Sequence, residues 1–251
     1  FEVALDNLMT TLELDTGVSK DGVAVIGHDP IIAAQKCRKS DGSPYERADE
    51  VRIMDLTVAE IQSRFTCDKL FRGPAQINEA AASPATVAFA ASNALASIYT
   101  KPTLAQLFAF VRAYEAYYTT GAGSSHPEAA KRAKNAGRVR FNVESKINPR
   151  REYAARTVGV EAFVTAMLAP MEQANVLDRV NFQSFDFRTL REASKRRPNL
   201  QLVALLGDFP KFEDSTIAGS DDGTNLQPEA GEANSPWLAG LVWPYRSTVK
   251  D

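Results

Sequence analysis

The chain has 251 residues, of which 44% are hydrophobic and 24% charged, so it has the composition of an ordinary globular protein that can bury a sizeable core. A formal net charge of −2 leaves no basic excess to neutralise a nucleic-acid backbone or an anionic membrane. No apolar run approaches the roughly 20 residues that cross a bilayer. These values argue against a nucleic-acid partner and stable membrane insertion, and they leave the oligomeric state open.

The first predicted elements are a short helix and a hairpin. "FEVALDNLM" has apolar residues near helical spacing, and since it starts with Phe1 rather than Met, we expect the sequence to begin inside a longer chain. "TLELDTGV" (11–18) predicts a strand, Lys-Asp-Gly (20–22) a turn, and "VAVIG" (23–27) the returning strand.

A long, mostly helical insertion is predicted next, over about 31–136. It contains "DLTVAEIQSRF", a helix start with Thr57 as cap and Glu60 three residues later. "TLAQLFAFVRAYEAYY" (103–118) predicts an amphipathic helix. The Gly- and Ser-rich stretch 119–137 predicts a mobile connection.

Strands and helices then alternate. "RVRFNVESKI" (138–147) alternates polar and apolar residues and is the clearest strand, and residues 158–176 have an apolar helical face. "RVNFQSFD" (179–186) predicts a strand, "FRTLREASKRR" (187–197) a helix, and "LQLVALLG" (200–207) an apolar strand.

This strand–helix alternation is typical of an α/β protein with a parallel sheet, either a (β/α) barrel or a doubly wound sheet. We predict a single catalytic domain over 1–251 with a (β/α)8 TIM-type barrel. A closed barrel takes about 250 residues, and the insertion uses much of the chain. The visible repeats account for about half a barrel, so we expect the sequence to be incomplete at both ends.

Carboxylates on two predicted strands indicate a metal site. Glu13 and Asp15 lie two residues apart and therefore share one strand face. Two such carboxylates repel unless a cation or a shared proton separates them. Ca²⁺ or Mg²⁺ fits better than Zn²⁺ because no thiolate or clustered imidazole is available. Glu144 could complete the oxygen shell, and Lys146 could neutralise a phosphoryl oxygen; the alternative for this pair is a structural ion pair.

His28 ends the returning strand of the hairpin and is one of two histidines. A group that titrates near neutrality beside an anion site suits proton transfer to a leaving alkoxide. The alternative is that His28 caps the turn before Pro30.

Five stretches resemble the glycerophosphodiester phosphodiesterase family, one of them being "RIMDLTVAEIQ" (52–62). "LELDTGVSKDGVAVIGHDP" (12–30) is similar to its signature, a Glu-x-Asp strand followed by a Lys-Asp-Gly turn and a His-Asp. "KPTLAQLFAFV" (101–111) resembles its Pro-Thr-Leu helix, "FNVESKINP" (141–149) its Glu-x-Lys strand and "VNFQSFD" (180–186) its Gln-Ser-Phe strand. The matches follow the order of the family motifs over residues 1–207.

The resemblance implies that Glu13, Asp15 and Glu144 are metal ligands, that His28 is a catalytic acid/base and that Lys146 is a catalytic phosphate contact. It also implies a (β/α)8 barrel that hydrolyses small-molecule glycerophosphodiesters to glycerol 3-phosphate and an alcohol, with a divalent cation. Alternatives are a sphingomyelinase D-like or phospholipase C-like barrel phosphodiesterase, or an inactive barrel that acts as a binding module.

Further expectations concern residues at the edges of this pattern. The family's His-Arg-Gly, with the second catalytic histidine, would lie before Phe1. Gln183 and Trp243 are candidate substrate contacts, although a Trp there more often packs. Cys37 and Cys67 are either two unpaired small hydrophobes or a disulfide of an exported protein. We expect a periplasmic or extracellular location, with the cytoplasm as the alternative.

Overall fold

The computed structural model describes residues 1–69, 78, 80–207, 225–226, 228 and 231–242. The strands are β1 (Thr11–Val18), β2 (Ala24–Ile26), β3 (Arg38–Lys39), β4 (Phe65–Thr66), β5 (Arg140–Ser145), β6 (Val180–Ser184) and β7 (Gln201–Ala204). The helices are α1 (Glu2–Asp6), α2 (Val58–Arg64), α3 (Pro84–Ser92), α4 (Leu104–Thr119), α5 (Ala129–Ala136), α6 (Val160–Gln173) and α7 (Phe187–Arg196). The predicted alternation of strands and helices is therefore confirmed.

The main sheet has the strand order β2-β1-β5-β6-β7. β2 is antiparallel to β1, as expected of a hairpin, and the other neighbouring pairs are parallel. In this register Asp15 lies beside Glu144, and Glu144 lies beside Gln183. Asp15, Glu144 and Gln183 therefore lie at one level of three adjacent strands, and Glu13 lies two residues earlier on β1, beside Asn142.

The closed eight-stranded barrel is not observed in the described part of the chain. Its main sheet has five strands and is open, with β2 and β7 at the edges. Closure at a barrel's strand tilt needs about eight strands, and only four strands here run parallel to one another. The coarser prediction, an α/β fold with a mostly parallel sheet, is confirmed.

One face of the sheet is covered by helices. Alternate residues of β1, β5 and β6 point to this face and are fully or almost fully buried, as at Leu14, Val143 and Phe182. They pack with apolar side chains of α4 and α6, including Phe108 and Met167. Because strand side chains alternate, the polar residues between them lie on the opposite face.

The range 31–136 contains two kinds of structure. Its first part has a small core of its own, with Ile32, Ile53 and Ile61 at its centre, and a disulfide joins Cys37 to Cys67 beside the β3–β4 pair. α2 begins with the predicted capping box. Its second part contributes α4, which packs into the main core and connects the hairpin to β5.

The stretch 119–137 is not the mobile connection that its composition predicts, because it contains α5. Arg132 of α5 forms an ion pair with Asp6 of α1 at 2.8 Å. The buried Asn135 donates a hydrogen bond to the carbonyl oxygen of Met9 at 2.9 Å. Tertiary contacts thus order a segment whose local sequence favours a loop. None of the described helices is both long enough and apolar enough to cross a membrane.

Candidate active site

Three carboxylates converge on the polar face of the sheet. Glu13 and Asp15 come from β1 and Glu144 from the neighbouring β5, and one oxygen of each lies within 4.8 Å of the others. The three differ in environment, since Glu13 is exposed, Asp15 is half-buried and Glu144 is buried. Strand alternation places the first two together, and the parallel pairing of β1 with β5 adds the third.

Lys146 lies against this carboxylate cluster. Its Nζ is 3.0 Å from Glu144 Oε1 and 3.5 Å from Asp15 Oδ1. Burial raises the pKa of the Glu144 carboxyl, and Lys146 opposes that rise. Glu13 is exposed as a whole residue, but partial desolvation of its carboxyl group and the charge of Asp15 raise its pKa. Desolvation is the main cause of both raised pKa values, and the charge of Asp15 adds to each. Three carboxylates beside one lysine would be stabilised by a hard cation.

A chain of two amides orients Glu13. Gln183 Nε2 donates to Glu13 Oε1 at 2.7 Å, and Asn142 Nδ2 donates to Gln183 Oε1 at 2.6 Å. A carboxylate can only accept, so the Gln183 amide must present its NH₂ to Glu13 and its oxygen to Asn142. Gln183, the predicted substrate contact, is thus placed against a predicted metal ligand. Its substrate-binding role stays a prediction.

His28 lies at the end of the hairpin, and its positive charge opposes the rise in the pKa of Glu13. His28 Nδ1 is 3.0 Å from Asp29 Oδ1, and Lys36 Nζ is 2.8 Å from Asp29 Oδ2. Burial would raise the pKa of Asp29, but the hydrogen bonds to His28 and Lys36 outweigh it and lower the pKa to about 2. An ionised Asp29 only accepts, so Nδ1 of His28 carries the proton and Nε2 is left for chemistry.

Residues that the sequence did not single out complete the surroundings. Asp29 had a signal, since it directly follows His28, and Asn142 had one too, because it precedes Glu144 by two on the same strand face. Lys36 and Lys101 come from the range 31–136. No local pattern marks Lys36, and Lys101 directly precedes the Pro-Thr-Leu stretch without being part of that pattern. Trp243, a predicted substrate contact, lies outside the described residues.

The model of the glycerophosphoryl diester phosphodiesterase family matches residues 1–221 of the chain. No curated protein matches it. Among solved structures, a candidate glycerophosphoryl diester phosphodiesterase from Silicibacter pomeroyi has a TM-score of 0.51 at 21% identity, over 80% of this chain and 56% of that one. A likeness at this identity shows the fold alone.

Two further solved structures are similar over the same share of the chain. A phosphodiesterase from Oleispira antarctica, solved with its product sn-glycerol-3-phosphate, has a TM-score of 0.44 at 17% identity over 80% of this chain and 56% of that one. A candidate glycerophosphodiester phosphodiesterase from Galdieria sulphuraria has a TM-score of 0.43 at 15% identity over 80% of this chain and 54% of that one. The chain thus spans little more than half the length of the structures it matches.

Proposed function

Because the chain belongs to the glycerophosphoryl diester phosphodiesterase family, we propose that it hydrolyses glycerophosphodiesters to glycerol 3-phosphate and an alcohol with a divalent cation. The observation that carries this proposal is the convergence of Glu13, Asp15 and Glu144, whose oxygens lie within 4.8 Å of one another beside Lys146. Like charges brought together on the polar face of a sheet repel, so a bound cation explains the cluster better than a role in stability does.

The three carboxylates fit a hard cation. They offer only oxygen ligands, which suits Ca²⁺ or Mg²⁺. Desolvation raises the pKa of Glu13 and Glu144, so their ionised forms are costly unless a cation balances them. When bound, the cation supplies positive charge that offsets the negative charge developing on the phosphoryl oxygens.

The remaining roles follow from the positions of the side chains. Lys146 points its ammonium at the cluster and would bind a phosphate oxygen. His28 would donate the proton on Nε2 to the oxygen of the departing alcohol. Asp29 holds the imidazole by its Nδ1 hydrogen bond, while Lys36 keeps Asp29 in place.

The test is the release of glycerol 3-phosphate from a glycerophosphodiester by the protein, with Ca²⁺, with Mg²⁺ and with a chelator. We expect turnover that the chelator abolishes and added cation restores. Glu13→Gln should abolish it as well, whereas the matched control Glu161→Gln, on the exposed side of α6, should not change it. Turnover that survives both the chelator and Glu13→Gln would refute the mechanism.

The same assay separates related phosphodiester reactions. Sphingomyelin and a lysolipid, offered under identical conditions, are expected to be poor substrates compared with a glycerophosphodiester. Faster cleavage of either lipid would assign the site to a sphingomyelinase D-like or phospholipase C-like reaction instead.

We also propose that the protein works in the periplasm or outside the cell. The bond between Cys37 and Cys67 supports this location, because disulfides persist in oxidising compartments and are rare in the cytoplasm. Alkylation of free thiols in intact cells, before lysis, should leave both cysteines unlabelled. Labelling of both would place the protein in a reducing compartment.

A further inference from the structure

Lys101 reaches the active site from the segment that precedes α4. The backbone of this segment is fixed beside β2, since the amide of Ile26 donates to the carbonyl oxygen of Pro102 at 2.9 Å. Gln62 Nε2 donates to the carbonyl oxygen of Lys101 itself at 3.1 Å. The position of Lys101 is therefore determined by the fold rather than by a free loop.

The ammonium of Lys101 occupies the space that a side chain at position 27 would fill. A Cβ atom on Gly27 would lie 2.9 Å from Cε of Lys101 and would also collide with Nζ. Gly27 directly precedes His28, and its amide donates to the carbonyl oxygen of Asp15 at 2.9 Å. The charges of Asp15 and of Asp29, the partner of His28, both act on Lys101, so Lys101 lies near the carboxylate cluster and near the pair of His28 and Asp29.

Lys101 differs from the other two lysines of the site. Lys146 and Lys36 each form an ion pair with a carboxylate, whereas Lys101 Nζ makes no hydrogen bond or ion pair with any residue that the structure describes. Burial lowers the pKa of Lys101 to about 8, and the nearby charge of Lys36 acts in the same direction while Asp29 and Asp15 oppose it. The side chain is still mostly charged at neutral pH, and a partly buried cation without a partner favours binding of an anion.

We propose that Lys101 selects the leaving alcohol by charge, so that the site favours glycerophosphodiesters whose alcohol carries a phosphate or carboxylate group over those with a cationic alcohol such as choline. This inference rests on the proposed function, because it takes the alcohol to depart beside His28. An anionic group there would accept a charge-assisted hydrogen bond from Nζ. A quaternary ammonium would instead face a like charge, which weakens binding.

The test measures binding apart from turnover. In a His28→Asn background, which prevents hydrolysis, isothermal titration with Ca²⁺ present compares glycerophosphoinositol 4-phosphate, glycerophosphoglycerol and glycerophosphocholine. We expect the anionic-alcohol diester to bind at least about tenfold more tightly than the choline diester. Lys101→Met should reduce this ratio to near one, and Lys101→Glu should reverse the preference.

Two further variants control the result. Gly27→Ala keeps every charge but displaces the Lys101 ammonium, so it should reduce the ratio as Lys101→Met does. Lys131→Met, on the exposed side of α5, should leave the ratio unchanged. Circular dichroism verifies that each variant is folded.

The outcomes separate this inference from the proposed function. Tighter binding of the choline diester by the His28→Asn protein would overturn the inference. Absence of measurable binding of any of the three diesters would overturn it as well. An equal loss of affinity for all three in Lys101→Met would also overturn it, because Lys101 would then contact the scissile phosphate. Charge-selective binding, together with no release of glycerol 3-phosphate by the protein in which His28 is intact, would refute the proposed hydrolysis alone. Turnover without a Lys101-dependent preference would refute the proposed selectivity alone.

Discussion

The two faces of strands β1 and β5 differ, although alternate residues of the same two strands form both faces. Leu14 and Val143 point to one face, where they are 3% and 0% exposed beneath the helices. Asp15 and Glu144 point to the other face and bring like charges together. One face therefore stabilises the fold by burying apolar area, and the other holds a charged group that stabilises it little. Substitutions on the two faces should have opposite effects on stability and turnover.

The largest expected effect on the polar face is that of Glu144→Gln, which removes a buried charge without changing the size of the side chain. We expect turnover to fall at least about a thousandfold, because the site loses a proposed cation ligand. The melting temperature should stay the same or rise, since a buried carboxyl with a raised pKa is costly to ionise. Steady-state kinetics and calorimetry on the same preparation measure both. A large fall in melting temperature would show that the polar face also stabilises the fold.

The corresponding change on the apolar face is Phe141→Ala. The Phe141 ring is 1% exposed and packs edge-on against Phe108, with 4.9 Å between ring centroids. We expect a loss of about 3–5 kcal/mol in the free energy of unfolding, measured by urea titration. Turnover per folded molecule should be retained below the unfolding transition. Phe141→Leu is the milder control, at about 1 kcal/mol, and a folded but inactive Phe141→Ala would mean that the two faces are not independent.

The division between the faces could be predicted from the sequence. In "LELD" and "FNVE" the polar and apolar residues alternate with the period of a strand, so the residues that share a face with each carboxylate can be predicted by counting along the strand. Closure of the sheet could not be predicted in the same way. It depends on how many strands are available, and alternation within one strand carries no information on that number.

The site could be predicted only in part, for a similar reason. Each carboxylate is marked by its own strand, but β1 and β5 are far apart in the chain, and their order in the sheet follows from pairing rather than from local pattern. The resemblance to a family supplied that adjacency. Lys36 and Lys101 lie in segments without regular periodicity, and they reach the site through tertiary contacts such as the hydrogen bond between Ile26 and Pro102.

A smaller effect is expected from Asn142→Ala, which changes the polar face without removing a carboxylate. Asn142 fixes the Gln183 amide that donates to Glu13, so its loss should weaken Ca²⁺ binding about tenfold. Isothermal titration measures the affinity. Asn181→Ala, on the same face of the next strand, is the matched control and should leave the affinity unchanged. Equal affinities for Asn142→Ala and the parent protein would show that Glu13 needs no support from Gln183.

The smallest expected effect concerns Asp29, a charged residue that, unlike the carboxylate cluster, stabilises the fold. Its pKa is about 2 in the folded protein and about 3.9 in an unfolded chain. As the pH falls below the unfolded value, the unfolded chain binds a proton that the folded protein does not. The stabilisation by ionised Asp29 is therefore complete above about pH 5 and disappears as the pH approaches 2.

Asp29→Asn should cost about 1 kcal/mol of unfolding free energy at neutral pH, once solvent screening is allowed for. The difference from the parent protein should shrink steadily between pH 5 and 2, because both proteins then carry a neutral side chain at this position. Urea unfolding across that range measures it, with Asp178→Asn, an exposed carboxylate remote from the site, as the control. A difference that stays constant with pH would show that Asp29 acts through packing, and the charged and apolar parts of the molecule would then stabilise the fold by the same means.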